Sequence, residues 1–166
     1  MLAESCFISV WSDEMKSQRM ELSGDSVAWD PCYIGEGANI GLRVSIGCLA
    51  HIGRDVTIGT GTRVQGGAYV ADNTQIGERC FIGPNATILN DRYPPSGDST
   101  KWEKVSIEDG AVIGGGATIL PGINVGQNAV VAAGAVLTKD IPADEVWVGN
   151  PARYHMTRNA YEEARK

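Results

Sequence analysis

Residues 34–88 read IGEGANIGLRVSIGCLAHIGRDVTIGTGTRVQGGAYVADNTQIGERCFIGPNATI. From Ile34 onward every sixth residue is aliphatic: Ile40, Ile46, Ile52, Ile58, Val64, Val70, Ile76, Ile82 and Ile88. The series breaks there, resumes at Ile107, and runs through Ile113, Ile119, Val125, Val131 and Leu137. A helix repeats every 3.6 residues and a simple strand every two, so neither produces a period of six. Four places after each aliphatic stands a small or β-branched residue, as in Val44, Ala50, Val56, Thr62 and Ala68. Three places after it stands Gly37, Gly61, Gly67, Gly110, Gly116, Gly122 or Gly134, Asn73, Asn85 or Asn128, or Asp55 or Asp140. Gly, Asn and Asp are the residues that tolerate a positive φ. Only Arg43, Leu49 and Arg79 depart from this rule.

Each unit is therefore a short strand with one large and one smaller side chain turned inward, followed by a turn. Three units close a triangular coil of 18 residues. Stacked coils bring aliphatics over aliphatics, and each fully buried one contributes roughly 1.5–3 kcal/mol. The fold class predicted is all-β: a parallel β-helix of hexapeptide repeats in which each coil touches only its neighbours.

Outward from the repeat, "LSGDSV" starting at Leu22 still fits the template, and residues 1–21 do not. "CFISVW", Cys6 to Trp11, reads as a short strand capping the bottom. The helix is expected over 22–153, and the tail 154–166 carries charged helix formers that predict a short helix covering the last coil. Ile88 and Ile107 are 19 residues apart, where one unit would take six. The loop 89–106 is thus an insertion, with Pro94, Pro95, Gly97 and Trp102 inside it. It adds nothing to the solenoid core, and such excursions commonly carry function.

Composition narrows the rest. A chain of 166 residues is one domain, and 21 glycines with 7% aromatics suit a fold of many tight turns. The net charge of −6 argues against a nucleic-acid partner. Cys6, Cys32, Cys48 and Cys80 show no metal-ligand spacing and read as small reduced residues. The start has no basic segment and no long apolar run, so a cytoplasmic protein without membrane insertion is expected.

Over Leu22 to Arg153 the sequence resembles the left-handed β-helix hexapeptide acyltransferases. "VGNPAR", Val148 to Arg153, is similar to the tail of the CoA-dependent members. "FIGPNATILNDRYP", Phe81 to Pro94, resembles the bacterial N-acetyltransferases that act on nucleotide-linked amino sugars in surface polysaccharide synthesis. The left hand comes from this resemblance, which also implies acetyl-CoA as cosubstrate and a homotrimer with clefts between neighbours. Residues 1–21, and the glycines of "VQGGAYV" at Val64 to Val70, differ from the family's usual pattern.

Acyl transfer from a thioester needs a free nucleophile, a donor to the carbonyl oxygen and a held thioester. Hydroxyl-acetylating relatives often place a His where this insertion has Asn90 and Asp91. An amine of pKa near 8 is partly unprotonated at neutral pH and needs no strong base. The resemblance thus implies Asn90 holding the sugar, Asp91 aligning the ammonium or accepting its proton through water, and Tyr93 contacting the substrate. Gly116 and Gly134, 18 residues apart, are expected with Ala135 to offer backbone N–H groups to pantetheine. Lys139 and Arg153 are expected to meet the phosphates of CoA, and Ile141 and Pro142 to pack its adenine. Other readings stand beside this one: sugar O-acetylation with His51 as base, and a non-catalytic β-helix scaffold. A carbonic anhydrase of the β-helix type needs three His ligands, and this chain holds His51 and His155 alone, so no metal is expected.

Overall fold

The computed structural model of the protein describes residues 17–166. Cys6 to Trp11, the expected capping strand, lies outside the described residues. From Val27 the chain winds into a parallel β-solenoid with three faces of nine, six and five strands. Within the coils nearly every strand is two residues long, with the second turned inward. Pairing follows the 18-residue step: Ile46 lies beside Val64, Val64 beside Ile82, and Ile52 beside Val70. The insertion leaves this register intact, since Ile76 pairs with Ile107 and Ile82 with Ile113 across it.

The core is the stack of inward aliphatics from Ile46 to Leu137, each at most 2% exposed. The smaller inward set is equally dry, and its polar members are satisfied. Thr62 donates to the Gly77 carbonyl at 2.8 Å and accepts from the Cys80 amide at 3.0 Å. Ser26 does the same between Gly41 and Val44 two coils lower. Cys32 and Cys48 are half-buried free thiols and Cys80 is fully buried, where desolvation pushes its thiol up.

The turn rule extends further than side-chain chemistry suggests. Arg43, Leu49 and Arg79 adopt φ of 53°, 62° and 53° although none favours it. Asp140 is the exception: the left-handed residue of that coil is Asp144, at 60°. Coil stacking imposes the conformation, and unsuitable residues bear the strain. Leu49 is 69% exposed, so its side chain supports no core. Leu49→Asn should therefore stabilise the fold by about 0.5–1 kcal/mol, read as a higher urea midpoint at unchanged slope.

Two antiparallel strands extend the nine-stranded face. Arg19–Glu21 pairs with Val27–Trp29 at the start, and Arg153–Thr157 with Glu145–Val148 at the end. The helix Arg158–Ala164 follows, with Thr157 as its N-cap. It does not cover the last coil. It lies along the side of the prism, where Arg158 donates to the Asn128 carbonyl at 2.8 Å and Tyr161 faces a groove shared with Phe81. The last coil is closed by Trp147, which is 6% exposed and anchors its indole N–H on Glu145 at 2.7 Å.

Candidate active site

The insertion leaves the six-stranded face after Thr87–Ile88 and rejoins the five-stranded face at Ser106–Ile107. Its base is clamped. Arg92 grips Glu103 through two nitrogens, the closest contact 2.8 Å, and donates to the Pro121 carbonyl at 2.8 Å. Glu103 in turn donates its amide to the Asn90 carbonyl at 2.8 Å, and the Gly122 amide returns to Glu103. A one-turn helix, Ser99–Lys101, capped by Asp98, stiffens the tip. Sequence reading assigned Arg92 no role. Its partners lie 11 and 29 residues away, outside any repeat.

Asn90 is half-buried at the root of this loop, and its side-chain amide makes no hydrogen bond among the described residues. Asp91 behaves differently. One carboxylate oxygen accepts from the Tyr93 amide at 3.1 Å and the other from the Ser96 amide at 2.9 Å. These donors, the Ser96 amide foremost, hold its carboxyl below the usual carboxylate range. An acid so stabilised as the anion is a poor proton acceptor, which weakens that part of its expected role. It remains a fixed negative charge. Tyr93 is 81% exposed, free to meet a ligand.

Because its folded-state pKa is depressed, Asp91 supports the loop above the unfolded value, and the support fades as pH falls through the lower folded value. The Tyr93 and Ser96 amides should accordingly stay protected from exchange through the ordinary range of carboxylate titration. NMR-detected hydrogen exchange should show that protection lost only at more acidic pH, and Asp91→Asn should largely remove the dependence.

On the six-stranded face, outward side chains form a ladder below the insertion. His51 is sandwiched between Tyr33 and Tyr69, with centroids 4.6 and 4.7 Å apart and rings within 15° of parallel. Thr87 is the next rung above Tyr69. His51 thus lies two rungs below the strand that leads to Asn90, roughly 10 Å at the usual strand spacing. Positions 33, 51 and 69 are 18 apart, so stepping by one coil would have found this stack.

The corner between the nine- and six-stranded faces carries Gly116 and Gly134, over which space is open for at least 4 Å. Their amides are not the free donors expected. Gly116 donates to the Pro84 carbonyl at 2.8 Å and Gly134 to the Gly115 carbonyl at 2.9 Å, since the left-handed residue points its N–H down to the coil below. Ala135 is fully buried and donates to Ala132. The unused donors are one residue earlier: Gly115 and Ala133 donate to no backbone carbonyl among the described residues.

At the upper end, Ile141 is 2% exposed and belongs to the core, so it offers no surface to an adenine; Pro142 is exposed. Lys139 places its ammonium 5.0 Å from the centre of the Trp147 ring, and exposed Arg153 donates to its neighbouring carbonyl at Ala152. No helix among the described residues is long and apolar enough to cross a membrane.

An 18-residue parallel coil with an insertion at one corner and open glycines at another defines a hexapeptide-repeat protein. The family described as "Hexapeptide repeat of succinyl-transferase" matches residues 31–70, 73–88 and 104–139, and the chain belongs to it. It is 38% identical over 106 residues to a galactoside O-acetyltransferase of Lactococcus lactis, covering 60% of this chain and 51% of that protein. It is 37% identical over 90 residues to a 2,3,4,5-tetrahydropyridine-2,6-dicarboxylate N-acetyltransferase of Staphylococcus aureus, covering 54% of this chain and 36% of that one. The chain thus spans about half or less of the length of these relatives. A GDP-perosamine N-acetyl transferase from Caulobacter crescentus, solved with CoA and GDP-perosamine, has the same fold. Its TM-score is 0.69 at 23% identity, over 79% of this chain and 56% of that one.

Proposed function

We propose that the protein is an acetyl-CoA-dependent acyltransferase that acetylates the amine of a nucleotide-linked amino sugar. The observation that carries this reading is the amide of half-buried Asn90, without a hydrogen-bond partner among the described residues, at the root of a clamped insertion that contains no histidine. Two relatives above 35% identity named as acetyltransferases support acyl transfer. The amine acceptor rests on the "NDRYP" resemblance, Asn90 to Pro94.

In this reading Asn90 holds the sugar beside its amine, Tyr93 contacts the same ligand, and the Asp91 carboxylate aligns the ammonium. The deprotonated amine attacks the thioester carbonyl carbon, the C–S bond breaks as the amide forms, and thiol is released. The ammonium gives one proton to water before the attack, and the second amine proton passes to the departing sulfur, which leaves as the thiol. The N–H groups of Gly115 and Ala133, which donate to no backbone carbonyl among the described residues, are the partners for pantetheine amides and for the carbonyl oxygen in the transition state. Lys139, Arg153 and Pro142 stand at the CoA end. The reading includes a homotrimer, with the cleft completed by a neighbour, in the cytoplasm.

The acceptor named in one relative is a hydroxyl, which keeps O-acetylation with His51 as base as the second reading. Thiol release from acetyl-CoA with a panel of 3- and 4-amino sugar nucleotides and their hydroxyl counterparts tests both. Amine-dependent release retained in His51→Gln supports the first reading. Release only with hydroxyl acceptors, lost in that variant, establishes the second. No acetyl-CoA binding in calorimetry would leave a scaffold.

A further inference from the structure

On the other side of the prism, the terminal helix and the nine-stranded face enclose a groove of about 390 Å³. Arg63, Arg79, Arg158 and Arg165 line it together with Phe81 and Tyr161. Four guanidiniums converging in a chain of net charge −6 run against the composition. Two carboxylates offset them: Glu78 pairs with Arg79, and Glu162 is shared by Arg158 and Arg165. Four charges against two leave a net of +2 around the groove. Arg63 has no carboxylate partner among the described residues.

The carboxylates of Glu108 and Asp109, next to Gly110, do not line the groove and form no ion pair with its guanidiniums among the described residues. The Asp109 carboxylate accepts from the Glu78 amide at 2.8 Å, and Glu108 from Asn124 and Gln127. The guanidiniums are also pre-positioned. Arg63 lies 5.5 Å over the Phe81 ring, and Arg158 and Arg165 stand 6.0 and 5.9 Å from the Tyr161 ring. A guanidinium stacked on a ring by its face keeps its N–H edge free for a bidentate anion. The volume falls within the usual range for a small-molecule site and exceeds what a bare phosphate fills.

We propose that this groove binds a phosphorylated ligand bearing a flat aromatic ring, of nucleotide size, with the phosphates on Arg63 and Arg79 and the ring against the wall of Phe81 and Tyr161. The site shares no residue with the insertion or with the glycine-lined corner, so it stands whether or not the acyl-transfer reading holds. It occupies the corner between the five- and nine-stranded faces, whereas Asn90 lies at the corner between the six- and five-stranded faces.

Calorimetric titration of the full chain with ADP, pyrophosphate and adenosine, each alone, tests it. ADP should bind, pyrophosphate should bind more weakly, and adenosine should give no measurable heat. Arg63 and Arg79 are exposed and form no ion pair with another element among the described residues, so R63Q/R79Q should melt close to the parent chain. That variant should weaken ADP binding by roughly tenfold or more. K139Q/R153Q removes the cations at the CoA end and reports any ADP held there, so the ADP binding that is lost in R63Q/R79Q should persist in it. Failure of ADP to bind overturns the proposal. So does affinity that survives R63Q/R79Q and falls in K139Q/R153Q, which places ADP at the CoA end. Adenosine binding as tightly as ADP overturns the phosphate assignment, and pyrophosphate binding as tightly as ADP overturns the ring assignment.

Discussion

Asn90→Ala should lower kcat/KM for acyl transfer by about 100-fold, the scale seen when a positioned hydrogen-bonding group at a reacting centre is removed. The loss should fall on kcat as well as KM if the amide orients the amine toward the thioester. The fold should be untouched. The Asn90 side chain makes no hydrogen bond among the described residues, and the loop is held instead by its carbonyl, which accepts from Glu103. Unfolding midpoints of the variant and parent should therefore coincide. Asn90→Asp preserves shape but replaces the donor by a charge, and should recover little. A variant with parent-like kcat/KM on every accepted sugar would remove Asn90 from the site. Arg92→Ala gives a useful contrast: it should loosen the insertion and raise KM while the unpaired amide remains.

Gly114→Val should cost the fold several kcal/mol, more than most core truncations of the same solenoid. A Cβ added at Gly114 would meet the amide nitrogen of Ala133 and lie 2.6 Å from the carbonyl carbon of Ala132. These are backbone atoms of the next coil, so they yield only if the coils separate. Overpacking in a core costs about 1–3 kcal/mol when side chains can shift, and more when backbone must. Separation would break the bonds that hold this corner, including that from the Gly114 amide to the Val131 carbonyl at 2.7 Å. The same close approach recurs at Gly35, Gly47, Gly59 and Gly83. Urea unfolding of Gly114→Val beside Gly97→Val makes the comparison, because Gly97 has open space around it. Gly97→Val should lose less, through its positive φ alone. Equal losses would mean that coil separation is not what Gly114 prevents.

The period of six was sufficient to place most of this molecule. Each unit meets the same demand, one dry aliphatic and one turn, so the demand is written many times and a local departure such as Leu49 cannot erase it. The inward residues, the 18-residue register and the insertion were all legible from Ile34 to Leu137 for this reason. The conformations of Arg43, Leu49 and Arg79 were not legible from side-chain preference, but followed once they were placed in the repeat. The candidate site was less readable. Asn90, Asp91 and Tyr93 were picked out by resemblance to a family motif, and only contacts separated their behaviour.

Tertiary structure alone decided the features that occur once. Arg92 reaches Pro121 across 29 residues, Asp91 spends both oxygens on its own loop, and the terminal helix lies along the prism. Nothing in the local sequence repeats these contacts. Gly116 and Gly134 spend their amides on the coil beneath, a direction that composition does not encode, and Gly115 and Ala133 are left with no backbone acceptor among the described residues. The repeat already turns Ile141 inward, four places after Leu137, and the structure adds its bridge to Val125 and a burial that rules out the adenine contact. Periodic constraints are local and additive, so the chain states them openly. Contacts between distant, unrepeated segments depend on where the folded coils bring them, and only the assembled solenoid defines that.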